Sequence, residues 1–70
     1  MMDTIQKELT SRKVEIQAAL ELLFKANMKI TDWDVPEAND QEAAKMLIDI
    51  LQEKLDAIRE DVKNGKYINY

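Results

Sequence analysis

Six apolar residues in the second half of the chain, Ala44, Ile48, Leu51, Leu55, Ile58 and Val62, step by 4, 3, 4, 3 and 4. Only an α-helix returns side chains to one face at that spacing, and the run has the form of a heptad seam. Leu47 widens the seam on one side. With one Gly and one Pro in seventy residues, Gly65 and Pro36, there is little to interrupt helix elsewhere.

The first half carries the same signal. Leu9, Ile16, Leu23 and Ile30 recur every seven residues. Ile5 and Leu20 fall within about 40° of Leu9 at 100° per residue. The spacing predicts one amphipathic helix over about 3–29, a connection over about 30–36 and a second helix over about 37–64, followed by a tail, 65–70. Asp3 suits the positive end of the first helix, and Lys25 and Lys29 its negative end. Asp3 with Lys7, Glu8 with Arg12, and Glu21 with Lys25 have the favourable i,i+4 order. Gly65 can adopt the left-handed conformation that closes the second helix.

No strand pattern and no internal repeat interrupts this reading. The expected fold is all-α: one domain over 1–70, an antiparallel two-helix hairpin that dimerises into a four-helix bundle. In outline this resembles the small plasmid-copy-control hairpin proteins. The likeness is one of architecture, so no functional residue carries over from it.

The connection concentrates the acidity. Net charge is −4, and residues 31–42, TDWDVPEANDQE, hold five acidic residues and no basic one. Asp34 and Glu37 have capping-box spacing, with Pro36 inside the first turn. Asn39 with Glu42 offers a second start. An EF-hand reading fails, because counting from Asp32 the sixth residue is Glu37 and the twelfth Ala43, where Gly and Glu are needed. Capping and solvation account for these acids. Trp33 reads first as a lid on the end of the core and second as an interface anchor.

Composition narrows the function. There is no Cys and no His, which removes disulfides, thiolate and imidazole metal sites, and the commonest general base. Ser11, the one serine, has no histidine to activate it. The expectation is a protein that is not an enzyme and takes no cofactor. The acidic balance disfavours nucleic acid. No leader-like segment opens the chain and no stretch is apolar enough for a bilayer, so a soluble cytoplasmic protein is expected.

Hydrophobicity tapers along both helices. Nine of the thirteen residues 16–28 and seven of the nine residues 43–51 are apolar, against three of the thirteen residues 3–15. A hairpin brings the rich halves together beside the connection. Leu22 lies about 140° from its seam on one side and Met28 about 100° on the other, while Ile50 is about 120° off its own. One partner helix cannot cover that arc.

The surplus predicts an interaction surface near the connection, with Leu22, Phe24, Met28, Trp33, Met46 and Ile50 as its partner-binding residues. The reading is a small regulatory or interaction protein that self-associates and can dock a protein partner there. An RNA-binding hairpin dimer using Lys7, Lys25 and Lys29 is the alternative, and a structural subunit of a larger assembly is a third. Asn27 and Lys13 interrupt the first seam, Asn27 as part of a fraying helix end and Lys13 by snorkelling outward. Tyr67, Ile68 and Tyr70 are expected to fold back on the helix end or stay mobile.

Overall fold

A computed structural model describes residues 3–37 and 39–69. Among them are three α-helices and no strand: α1 Thr4–Ser11, α2 Lys13–Asp34 and α3 Asp40–Lys63. The chain is all-helical as expected, but with three helices rather than two.

The first predicted helix divides at Arg12. Its ψ of 4° departs from the helical value near −42°. The Ser11 hydroxyl donates to the Glu8 carbonyl at 2.8 Å and so competes with the ladder. The Arg12 N–H is then shared between the Glu8 and Leu9 carbonyls, each at 3.2 Å. Ile16 N–H to the Arg12 carbonyl at 2.9 Å restores regular helix. Asp3 starts α1 with a reciprocal box: its carboxylate accepts from Gln6 N–H at 2.8 Å, and Gln6 Oε1 accepts from Asp3 N–H at 3.2 Å. That cap occupies Asp3, and no Asp3–Lys7 bridge forms; the expected Glu8–Arg12 and Glu21–Lys25 pairs do form, at 3.9 and 3.1 Å.

Helix α2 runs on to Asp34, through residues expected in the connection. Asn27 is therefore inside the helix rather than at a frayed end. Its Nδ2 donates to the Leu23 carbonyl at 2.9 Å, and Thr31 Oγ1 donates to the Asn27 carbonyl at 3.0 Å. The helix stops before Pro36, whose ring disfavours helical geometry in Val35; that residue sits at φ −133°, ψ 76°. Of the two possible starts for α3, the chain takes the later one. Asn39 Oδ1 accepts from Glu42 N–H at 3.0 Å, and Glu37 lies in the preceding turn.

Gly65 closes α3 at φ 82°. Lys66 N–H reaches the Asp61 carbonyl at 3.0 Å and Gly65 N–H the Val62 carbonyl at 3.1 Å, the paired bonds of a Schellman motif. The tail turns back, with Ile68 N–H on the Gly65 carbonyl at 3.2 Å. Tyr70 lies outside the described residues.

Helix α2 touches both α1 and α3. On α2 the half-buried side are Phe24, Asn27, Met28 and Thr31; on α3 the corresponding residues include Ala43, Ala44, Leu47 and Leu51. No described residue is fully buried. The total accessible surface is 6589 Å². A compact folded chain of 8.1 kDa would expose about 4,500 Å². The radius of gyration is 16.2 Å, against about 11 Å for a compact domain of this length. The chain is thus an extended helical body, 51 × 27 × 18 Å, with roughly 2,000 Å² more surface in water than its mass calls for.

Candidate functional site: apolar surface on α2 and α3

Two grooves run between α2 and α3. The one beside the connection is lined by Thr31 and Val35 from the α2 end and by Ala43, Met46, Leu47 and Ile50 from α3, with Asn39 and Glu42 at its rim. The other is lined by Leu20, Glu21 and Phe24 of α2 and by Ile48, Leu51, Gln52 and Leu55 of α3. They share no residue. Ile48 and Ile50 lie about 160° apart around α3, so one helix offers apolar groups to both. The grooves measure about 360 and 260 Å³ and are open along their length. A small-molecule site encloses most of its ligand; open apolar troughs suit the side chains of another protein surface.

The six residues expected to bind a partner are not gathered into one patch. Met46 and Ile50 line the first groove and Phe24 the second. Met28 is half-buried on the α3-facing side of α2. Leu22 and Trp33 line neither groove; they lie about 20° apart on the opposite side of α2 from Phe24 and are 68% and 85% exposed. Trp33 therefore does not close a core within the single chain. It stands in solvent on the last turn of α2.

The side of α2 that meets α3 also differs from the side expected. Leu23, in the middle of the predicted seam, stays 49% exposed, and Ile16 and Ile30 are similarly open. The contact is made a quarter-turn or so away, through Phe24, Asn27, Met28 and Thr31. Heptad spacing identified the apolar face but missed the contribution of Asn27 and Thr31. Asn27 Nδ2 and Thr31 Oγ1 both donate to carbonyls of their own helix, which lowers the cost of placing them in an apolar contact.

The charges near the connection are arranged across it. The Asp32 carboxyl, on the last turn of α2, is held above its ordinary value of 3.8 by a hydrogen bond with the Asp40 carboxyl. Partial desolvation and repulsion from Asp40 act in the same direction. Asp40 opens α3, so the pair joins the last turn of α2 to the first turn of α3. Among the described residues no three His, Cys, Asp or Glu side chains are grouped to hold a metal ion. Among the lysines of the alternative RNA face, Lys25 is engaged by Glu21. No helix of the described residues is long and apolar enough to cross a membrane.

Compared with protein-family models, curated proteins and solved structures, the chain gave no match.

Proposed function

We propose that this chain is a small, non-catalytic helical interaction protein. Its working form is a self-associated bundle of antiparallel hairpins, α1–α2 forming one arm and α3 the other. Beside the connection, the bundle seats apolar side chains of a protein partner in the groove lined by Met46, Leu47 and Ile50.

The observation that carries this reading is the absence of any fully buried described residue. Folding must offset about 1–2 kcal/mol of backbone entropy per ordered residue, chiefly by hiding apolar area. A chain in which Leu9, Leu22, Leu23, Ile30, Ile50 and Trp33 each stay about half exposed or more gains too little of that area alone. Chains this short commonly rely on disulfides, metal or self-association, and this one has neither Cys nor His. The antiparallel arrangement is supported by the groove linings. Thr31 and Val35 share one groove with residues 43–50, while Leu20 and Phe24 share the other with residues 48–55. Residue numbers thus fall along α2 as they rise along α3.

Light scattering across a range of concentrations tests the proposal. The expected mass is a multiple of 8.1 kDa. A helical monomer at high concentration that binds no dye for exposed apolar surface would overturn it.

A further inference from the structure

The part of α2 that α3 leaves open has a pattern of its own. Ile16, Ala19, Leu23, Ala26, Ile30 and Trp33 step by 3, 4, 3, 4 and 3. They span an arc of about 100°, adjacent to the α3-facing side rather than on it. Along the first five, large and small residues alternate. Glu15 and Lys29 flank the stripe on its outer edge, fourteen residues apart and so on the same line as Leu22.

From this pattern we infer that the open seam binds a second copy of the chain, α2 against α2, antiparallel across a two-fold axis. The inference rests on the self-association proposed above and assigns its surface and register. Three observations carry it. First, the excess of roughly 2,000 Å² per chain exceeds the ~800 Å² that each partner gives up in an interface of standard size, and α2 holds the widest apolar arc left in water.

Second, antiparallel packing sets each position of the 3-step against a position of the 4-step on the facing helix. Ile16 then lies level with Ala26 of the second copy and Ala19 with Leu23; the two-fold repeats both pairs in reverse. Across the central layers, Ile16 to Ala26, each large side chain meets a small one, which is how facing layers interdigitate; Ile30 falls level with Arg12 of the second copy. A parallel pairing would set Ala19 and Ala26 each against itself, leaving a gap, and Leu23 against Leu23.

Third, the same register brings Glu15 within about 3 Å along the axis of Lys29 of the second copy, on the same flank, and does so twice. Parallel pairing, whose two-fold runs along the helices, would put Glu15 level with Glu15 on opposite flanks and form no Glu15–Lys29 pair. The register also carries Trp33 toward the second copy's α1, level with Leu9, which gives the exposed indole a covering surface.

The chain has no native Cys, so each introduced thiol is unique. Leu22→Cys, Ile16→Cys, and an equimolar mixture of Glu15→Cys and Lys29→Cys are treated with a short bismaleimide and read by denaturing gel. Circular dichroism confirms helix content, and light scattering reports the mass in the same samples. In the assigned register two Leu22 positions lie side by side, whereas two Ile16 positions are about 15 Å apart along the axis.

Leu22→Cys therefore shifts from 8.1 kDa to twice that mass, Ile16→Cys does not, and the mixture gives cross-linked pairs. The mixture probes the register at two charged positions, so it decides the matter even if Leu22→Cys loses helix. Ile16→Cys joining to itself, or no cross-linked pair in the mixture while scattering still reports an oligomer, overturns the antiparallel seam but leaves self-association standing. Monomers by scattering overturn both.

Discussion

Replacing Leu23 by Ala gives a quantitative test of how the apolar seam is used. In the single chain Leu23 is 49% exposed. Burying a whole Leu side chain is worth about 1.5–3 kcal/mol, so covering the remaining half contributes about 0.7–1.5 kcal/mol per chain. A two-fold interface uses the residue twice, which doubles this to about 1.5–3 kcal/mol per dimer. Alanine forfeits most of it. The dimer dissociation constant of Leu23→Ala should therefore rise roughly 10- to 100-fold, at about 1.4 kcal/mol per factor of ten.

Sedimentation equilibrium on both proteins measures that ratio directly, and far-ultraviolet circular dichroism at matched concentration confirms the helix. Alanine propagates helix better than leucine, so lost helicity on dilution would report lost association rather than lost propensity. An unchanged dissociation constant, with helix content preserved, would refute the assignment of Leu23 to an interface and with it the area argument.

Other expectations are local. Asn39→Ala removes the acceptor of Glu42 N–H and should cost about 1 kcal/mol, read as a melting-temperature drop of about 4–8 °C at fixed chain concentration. Gly65→Ala forces an alanine to φ 82°, with its Cβ 3.0 Å from Ile68 Cδ1; a loss of about 1 kcal/mol should appear in urea unfolding. For Asp32 the folded value is raised above 3.8, so just above that pH the folded chain still holds a proton that the unfolded chain has released. Its contribution to stability is present below 3.8 and is lost as pH rises through the folded value. Asp32→Asn should remove the fall in urea midpoint that begins as pH rises past 3.8.

Much of the helical framework could be read from local chemistry. Asp3, Asn39 and Gly65 mark ends because their side chains or backbone freedom act within one turn, and each acts there in the structure. The i,i+4 ion pairs of Glu8 and Glu21 are local for the same reason. The break at Arg12 was missed because it depends on a hydroxyl choosing a backbone carbonyl, and Ser11 is equally at home on a helix surface. The extension of α2 to Asp34 was missed because TDWD reads as connection by composition, while Thr31 and Val35 bond back to Asn27 and Thr31.

The apolar surplus was legible as an amount but not as a location. Periodicity says which side of a helix is oily, and α2 is oily over most of its circumference. Which part of that arc meets α3 depends on tertiary contact, and the structure gives the place to Phe24 and Met28 rather than Leu23. That choice is what leaves Ile16, Leu23 and Ile30 free for another surface.

Light scattering of the unmodified chain, from the lowest measurable concentration upward, tests self-association most directly. The account predicts a weight-average mass that climbs from 8.1 kDa to a stable multiple of it, with helix content climbing in parallel. A mass fixed at 8.1 kDa while helix content stays full throughout would contradict it.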